Sequence, residues 1–416
     1  MAAETKKKKG IDITVWLLIS MIAAVVVGLV VGEPMKNVQF IGDIFFRLIQ
    51  MTIPIFILCT IVKSVGGLTP QTLSGIGLKG IIVFIVTTGI AAAIGVSLGV
   101  TLQPGSGLEN SSIVANASFD GEATAMMSIQ DTITGFFGNN IVASLSNGSM
   151  IQIIIFAVAF GLVISFWRHS HDGECMAYDL CCEVSDLLLN IIRAVMKIAP
   201  IGIFCYVSAM IGTLGMDILL PLGKYFLVML LGMAIMFAIY FIVVPIYCRV
   251  SPFKLMKKML RMTVTAFTTI SSAITLPTAM EDAKNRIGIR EDIVDVLLPL
   301  GVPLNSNGVA IHMAVDALCI AQMYGVHFGP NELLTVWVIC TMIAFVNAAT
   351  PGASLVSLTM MVPALNLPMA AIGIFGGLEY PTGASRTPLN VDGDVFAAML
   401  VAGPDGIDHE IFDTTD

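Results

Sequence analysis

Charge is scarce in this sequence: only 12 % of its 416 residues are Asp, Glu, Lys or Arg, whereas 56 % are hydrophobic. Soluble domains carry roughly 25 % charged residues, so this chain cannot cover its surface with polar groups in water. The 21 Lys and Arg against 29 Asp and Glu exclude a phosphate-neutralising nucleic-acid partner. We therefore predict an all-α polytopic protein of the cell's inner (plasma) membrane, with lipid as its partner, and not an enzyme.

Paired cysteine motifs are also missing. The eight cysteines are scattered, and none stands in a Cys-x-x-Cys pair or at zinc-type spacing. Most lie within apolar runs, where cysteine packs as a small hydrophobe. We expect them to be packing residues, and we expect no organic cofactor.

Long apolar stretches are abundant, and six of them fit a membrane-crossing helix, which needs about 20 residues. These are residues 13–31, 41–65, 80–102, 150–167, 183–213 and 222–248. Four later stretches are interrupted by Ser, Asn, Pro and Gly, and they cover residues 262–280, 293–324, 333–365 and 369–401. Breaking a helix at membrane depth frees backbone groups that only protein, a cavity or an ion can satisfy, so the breaks predict a binding site.

Basic residues are absent from the loop over residues 104–148 and are concentrated before the first span and after the sixth. Because cytoplasmic loops are enriched in Lys and Arg, this loop is predicted to be extracellular. By the same rule, the N-terminal segment (residues 1–12) and the tail (residues 402–416) are predicted to be cytoplasmic.

Arg386 is the single Lys or Arg beyond position 290, and it falls inside an apolar stretch. An unpaired cation at the bilayer centre costs at least about 2.5 kcal/mol, so Arg386 must face the protein interior and have an anion. Helical spacing places Glu379, Gly383, Asn390 and Asp394 on the same face. Two hypotheses remain: a structural arginine–carboxylate pair, or an arginine fork that binds a carboxylate arriving from water.

With these elements, the sequence resembles the dicarboxylate/amino acid:cation symporter family over nearly its whole length. The most specific stretches are Ser271-Ser272, residues 305–309 (Asn-Met-Asp-Gly-Thr in the family), Pro351-Gly352 and residues 386–394. The resemblance implies eight transmembrane helices and two re-entrant helical hairpins, assembled as a homotrimer. Similar Leu-Pro turns at two positions agree with inverted repeats.

The resemblance also implies an elevator-type carrier, in which a transport domain moves against a static scaffold. The scaffold would comprise helices 1 and 2 (residues 13–75) and helices 4 and 5 (residues 149–213). The transport domain would combine helix 3 (residues 80–103) with residues 222–401. The latter would hold helix 6, hairpin 1 (about 253–282), helix 7 (about 291–324), hairpin 2 (about 331–366) and helix 8 (about 369–401).

Residue by residue, the resemblance assigns Arg386 to a substrate carboxylate and places other substrate contacts around it. These contacts are Thr387, Asn390, Ser271, Ser272, Gly383, Val309, Pro351 and Gly352. Sodium ions would be bound at three sets of oxygen atoms, which suit a hard cation. The first set is Gly301, Asn305, Asn390 and Asp394; the second includes Thr87, Thr88 and Asn305; the third lies around Pro303, Ser306, Ala344 and Asn347.

Four positions depart from the family pattern. Gly383 replaces an aspartate that contacts the substrate's ammonium group, so we expect a C4-dicarboxylate to be favoured over aspartate or glutamate, with Glu379 as an alternative acceptor. Asn307 replaces an aspartate and Phe84 a tyrosine of the sodium sites, which predicts fewer coupled sodium ions. Val309 replaces a threonine at the distal carboxylate.

His312 and Asp316, four residues apart, are the candidates for a proton relay, although they also fit a buried hydrogen-bonded pair. The family's proton-carrying position corresponds to Met313, which cannot titrate. The predicted function is Na⁺-coupled symport of a small carboxylate. The alternatives are a proton-coupled carrier of the same fold, an ion channel, and an intramembrane hydrolase using Ser271 or Ser272 with His312.

Overall fold

The computed structural model describes most of the chain. The described residues are 13–68, 75–106, 134, 137–147, 149–171, 173–214, 219–345, 353–369, 371–376 and 378–414. The predicted N-terminal segment, most of the predicted extracellular loop and the site residues Asn347, Pro351 and Gly352 lie outside them.

The fold is helical, as the sequence predicts. Over the described ranges there is no β-strand, and a single isolated bridge joins Ile289 and Ile407. The α-helices are α1 (Ile13–Val31), α2 (Gln39–Gln50), α3 (Ile53–Gly66), α4 (Gly75–Leu102), α5 (Ile141–Asn147), α6 (Met150–Ser170), α7 (Met176–Met196), α8 (Ala199–Leu214), α9 (Leu219–Cys248), α10 (Pro252–Thr269), α11 (Ser272–Asp282), α12 (Glu291–Leu304), α13 (Asn307–Met323), α14 (Pro330–Ala344), α15 (Ala353–Ala364), α16 (Ala371–Gly376), α17 (Glu379–Ala402) and α18 (His409–Thr414).

Among the described residues, four helical stretches are long and apolar enough to cross a membrane. They are Gly75–Leu102, Gln152–Ser170, Pro221–Cys248 and Glu291–Met323. Large apolar side chains on these helices and on α1 are exposed, such as Val30, Leu227 and Ile246, which are 67–80 % exposed. An apolar outer surface of this kind is suited to lipid.

Two predicted spans are divided in the structure. Residues 41–65 form α2 and α3, which meet at Met51 and Thr52, and residues 183–213 end α7 and form α8. Pro54 and Pro200 lie in the first turn of the second helix of each pair. Proline lacks the N–H that a preceding turn would need, so it readily begins a helix but does not continue one. One continuous helix in each stretch is therefore not observed.

Two of the three predicted breaks fall on described residues. Between α10 and α11 the chain turns at Ile270 and Ser271, where Ile270 adopts the left-handed conformation with φ 52°. Between α12 and α13 it is broken at Asn305 and Ser306. Both breaks are buried in protein, as membrane-depth backbone requires.

The helices pack in two groups. In the first, α8 packs against α1 and α2, and α3 packs against α6 and α7. In the second, α4 packs against α13 and α14, while α9, α10, α12 and α13 all contact α17. The groups meet where α8 contacts α16, where α15 contacts α2, α3 and α6, and where α1 contacts α17. Helix α17 therefore lies inside the second group, which explains why its polar side chains are buried.

Candidate functional site

The predicted site residues of α17 are buried, although they are polar or charged. Glu379, Arg386, Asn390 and Asp394 are each 3–5 % exposed. Their spacings of seven, four and four residues in a continuous helix align them along its length. Buried polar groups need hydrogen-bond partners from the protein or from a ligand. Arg386 and Asp394 differ in how far protein groups supply these partners.

Arg386 is only loosely paired. Its Nη2 lies 3.8 Å from Oε1 of Glu379, which is too long for a hydrogen bond. Within the described part of the chain, Nε and Nη1 of Arg386 have no hydrogen-bond partner. A tight structural pair is therefore absent here, and the guanidinium retains donors that could bind a carboxylate through two parallel bonds.

The carboxylate of Glu379 also contacts the second half of the predicted hairpin 2. Its Oε1 accepts a hydrogen bond of 3.3 Å from the backbone N–H of Ser354, in the first turn of α15. The positive end of the helix dipole favours an anion at this place. The same oxygen lies 3.8 Å from where a Cβ atom at position 383 would be. Glu379 is thus shared between Arg386 and α15, next to Gly383.

The tip of the hairpin formed by α10 and α11 carries the two predicted serines. The hydroxyl oxygen of Ser271 accepts a hydrogen bond of 3.3 Å from the backbone N–H of Ile274, so this side chain caps α11. Ser272 is 6 % exposed and begins the helix. The first N–H groups of an α-helix favour an anion nearby, so the tip offers backbone donors rather than a serine nucleophile.

Thr387 and Asn390 make bonds to the backbone around Arg386. The hydroxyl of Thr387 donates to the carbonyl of Gly383 at 2.7 Å, and Oδ1 of Asn390 accepts from the N–H of Gly308 at 2.8 Å. A Cβ atom at Gly308 would overlap the carbonyl oxygen of Arg386, so only glycine permits this close packing.

Three of the four residues of the first predicted sodium set, Gly301, Asn305 and Asp394, are brought together. A Cβ atom at Gly301 would overlap the carboxylate of Asp394, and Nδ2 of Asn305 donates to Oδ1 of Asp394 at 2.9 Å. Asn390 lies one turn away on the same helix. Among the described residues, no group of three or more His, Cys, Asp or Glu could hold a metal. One carboxylate with amide and backbone oxygens suits a hard monovalent cation better than a transition metal.

The second predicted sodium set is closed by side-chain hydrogen bonds. Thr88 donates to Oδ1 of Asn307 at 3.0 Å, and Nδ2 of Asn307 donates to the hydroxyl of Tyr240 at 2.5 Å. The hydroxyl of Thr87 lies 3.4 Å from Oδ1 of Asn305. Both ends of the Asn307 amide are therefore engaged by protein groups.

The other predicted substrate and sodium residues that the structure describes form no further cluster with one another. Pro303 lies in α12, Ser306 is 2 % exposed between α12 and α13, and Ala344 ends α14 with no exposed surface. Val309 and Phe84 are buried apolar side chains in the core.

His312 and Asp316 meet, and a third group joins them. Nε2 of His312 lies 2.8 Å from the hydroxyl of Tyr225 and 3.3 Å from Oδ2 of Asp316. All three residues are at most 1 % exposed. The arrangement links α9 to α13 through titratable groups that are sealed from water.

Sequence reasoning missed four polar residues with buried bonds. Tyr225 and Tyr240 lie in the apolar helix α9, and a buried tyrosine hydroxyl needs a partner, which is a signal that the sequence does contain. Asp392, which is 1 % exposed, accepts a hydrogen bond of 2.8 Å from the hydroxyl of Thr263 on α10. That contact depends on which helices are neighbours.

Comparisons with known proteins show the family of this chain. The model of the sodium:dicarboxylate symporter family matches residues 13–403. The chain is 29 % identical over 376 residues to the proton/glutamate-aspartate symporter of Escherichia coli (strain K12), covering 87 % of this chain and 84 % of that protein. It is 29 % identical over 402 residues to the proton/sodium-glutamate symport protein of Bacillus caldotenax, covering 94 % of each. Identity to the neutral amino acid transporter B(0) of Bos taurus is 28 % over 398 residues, covering 87 % of this chain and 72 % of that protein.

Proposed function

The chain belongs to the sodium:dicarboxylate symporter family, and on this premise we propose that it couples inward movement of a C4-dicarboxylate to inward flow of Na⁺. It is a multi-pass membrane transporter and not an enzyme. Acidic amino acids such as glutamate and aspartate rank second as substrates. An ion channel is a weaker alternative.

The observation that carries this proposal is the state of Arg386. A guanidinium that is 3 % exposed and has two nitrogen atoms without a hydrogen-bond partner among the described residues is costly to bury. A substrate carboxylate would supply the missing acceptors through two charge-assisted bonds. The N-terminus of α11, at Ser271 and Ser272, would favour the second carboxylate.

The lack of an amine on the proposed substrate follows from Gly383. An ammonium group that leaves water needs an anion or several acceptors beside it. Glycine offers none, and the neighbouring Glu379 is shared with Arg386 and Ser354. The names of the bacterial relatives include glutamate, and this supports acidic amino acids as the second substrate class.

Sodium coupling is supported by the cluster of Gly301, Asn305 and Asp394. The second set gives weaker support for sodium binding. The amide of Asn307 carries no charge, and its Nδ2 already donates to Tyr240, so this side chain would have to rearrange to bind a cation. We therefore propose fewer coupled sodium ions than a carrier with an aspartate at position 307 would use.

A proton-coupled carrier is the second candidate, and the contacts of His312 favour it. Nε2 of His312 lies 2.8 Å from the hydroxyl of Tyr225 and 3.3 Å from Oδ2 of Asp316, so three titratable groups are adjacent. Such chains at membrane depth are typical of proton pathways. The two bacterial relatives named above both carry "proton" in their names.

The arrangement proposed for this carrier is an elevator-type homotrimer with cytoplasmic termini, eight spans and two re-entrant hairpins. The two packing groups support a division into scaffold (residues 13–75 and 149–213) and transport domain (residues 80–103 and 222–401). Cross-linking in lipid tests the trimer, and single-cysteine accessibility in oriented membranes tests the termini.

Uptake into liposomes tests the proposed function. Liposomes containing the full chain are given an inward Na⁺ jump, and labelled succinate, aspartate and glutamate are followed. We expect saturable accumulation of succinate above its external concentration, and none when choline replaces Na⁺. Entry that stops at equal concentrations would indicate a channel, and accumulation of aspartate without any uptake of succinate would contradict the substrate assignment.

A further inference from the structure

The tip of the hairpin between α10 and α11 places an apolar side chain at the substrate face of α17. Ile270 ends α10 with φ 52° and ψ 32°, and its side chain is 6 % exposed. A β-branched residue rarely adopts this left-handed conformation, because its Cβ approaches the following carbonyl oxygen. Such strained residues concentrate at functional sites, where the surroundings hold them in place.

Ile270 occupies the space in which a side chain at position 383 would lie. A Cβ atom at Gly383 would be 2.8 Å from Cγ2 of Ile270, closer than two carbon atoms approach without displacement. The isoleucine at the tip and the glycine on α17 are therefore complementary. No side chain larger than hydrogen fits at position 383 while Ile270 keeps its place.

The nearest acidic side chain to Gly383 is Glu379, and its Oε1 is already engaged by other groups. Oε1 of Glu379 is 3.8 Å from the same Cβ position, but it accepts a bond from Ser354 and pairs with Arg386. An ammonium group beside Gly383 would therefore face the methyl groups of Ile270 and compete with Arg386 for Glu379. It would lose its hydration beside an apolar methyl group, and it could regain an anion only by drawing Glu379 away from Arg386.

We infer that Ile270 is a specificity-determining residue, which together with Gly383 closes the site beside Arg386 to amino groups. This inference rests on the proposed function, since it requires that Arg386 binds the transported carboxylate. It adds that the selection against an amine is steric and apolar, set from the hairpin tip, and not only a missing charge on α17.

The test is competition against labelled succinate in liposomes that contain the full chain. The variants are Ile270→Ala, Gly383→Asp and the two combined. Ile274→Ala is the matched control, because Ile274 lies four residues further on and is 61 % exposed. The competitors are L-aspartate, succinate and 2-methylsuccinate.

In the wild-type protein we expect succinate to compete at least about tenfold better than L-aspartate. Gly383→Asp alone should lose uptake of both acids, because the new side chain collides with Ile270. The double variant should regain uptake and shift the preference towards L-aspartate by about tenfold or more. A double variant that transports with the wild-type preference would overturn the inference.

Ile270→Ala alone gives an independent readout that needs no new charge. The space it opens beside Gly383 should improve competition by 2-methylsuccinate about fourfold, the effect of burying one methyl group. Ile274→Ala should leave competition by 2-methylsuccinate unchanged. An Ile270→Ala variant with no such gain would overturn the inference.

Two further outcomes separate this inference from the proposed function. Strong wild-type competition by L-aspartate that disappears in Glu379→Gln would show that Glu379 accepts the ammonium group, and would overturn the inference while leaving a carrier. A wild-type protein that accumulates neither acid would refute the proposed function, and the inference would fail with it.

Discussion

The two charged residues on the buried face of α17, Arg386 and Asp394, differ in how well protein groups satisfy their hydrogen-bonding atoms. At Arg386, Nε and Nη1 have no hydrogen-bond partner among the described residues, and Nη2 lies 3.8 Å from Oε1 of Glu379. Two turns further on, Oδ1 of Asp394 accepts a 2.9 Å bond from Asn305. A buried donor left open indicates a ligand from outside, whereas a satisfied acceptor indicates that protein groups already hold the site.

Near Asp394, side-chain amides of asparagine donate buried hydrogen bonds. Nδ2 of Asn305 donates to Asp394, and Nδ2 of Asn307 donates to Tyr240. A cation that binds there must turn these N–H donors away, which lowers its affinity. From the proposed function we therefore expect strong binding of the substrate carboxylate and weak binding of the coupling ion.

The largest effect is expected from Arg386→Lys. Lysine cannot form the planar pair of bonds to a carboxylate, so the ratio kcat/KM for succinate uptake should fall by about 100-fold or more. Uptake kinetics in liposomes measure it. Arg290→Lys is the matched control, because Arg290 is 60 % exposed and pairs with Asp292 at the surface. Equal losses in both variants would contradict a special role for Arg386.

Asp394→Asn should mainly affect the ion. It removes the carboxylate from the cluster with Gly301 and Asn305, so the Na⁺ concentration for half-maximal uptake should rise by about tenfold or more. Asp392→Asn is the control: that carboxylate lies on the same helix but accepts from Thr263. If Asp394→Asn retains the wild-type Na⁺ dependence, the ion site lies elsewhere.

Asn307→Asp should raise the affinity for Na⁺ near Asp394. A carboxylate beside Thr88 would attract Na⁺, and the half-maximal Na⁺ concentration should fall by several-fold, about 1 kcal/mol of added interaction. Reversal-potential measurements count the coupled ions in wild type and variant. A wild-type stoichiometry of three Na⁺ would contradict the weak second site.

A smaller effect is expected at His312 if Na⁺ is the coupling ion. An inward pH gradient without Na⁺ should then drive no succinate uptake, either in the wild type or in His312→Gln. Uptake driven by the pH gradient alone in the wild type, and lost in His312→Gln, would instead assign the coupling to the group of His312, Tyr225 and Asp316.

The smallest effect is expected from an exposed ion pair. Nζ of Lys254 lies 2.7 Å from Oδ1 of Asp413, and this hydrogen bond lowers the pKa of the Asp413 carboxyl below its usual value. The pair therefore adds stability above the ordinary aspartate pKa and loses it as pH falls. Lys254→Gln should hardly change Tm at pH 7 or uptake, because exposed pairs contribute little. A large loss of uptake would contradict the contrast with Arg386.

The sequence predicted features that are local in the chain. Scarce charge and long apolar runs indicated membrane helices, and spacing of three or four residues aligned Arg386 with Asp394. It did not predict the contact of Ile270 with Gly383 or the bond from Asn307 to Tyr240, because helical spacing does not say which helices become neighbours. The break before Pro54 was missed because hydropathy averages hide a proline at a helix start.

The most direct test of the central claim is a structure of the full chain in lipid with succinate and Na⁺. The account predicts a substrate carboxylate whose oxygens lie within about 3 Å of Nε and Nη1 of Arg386, with a two-bond geometry. Succinate bound elsewhere, with Arg386 moved into a tight two-bond pair with Glu379, would contradict it.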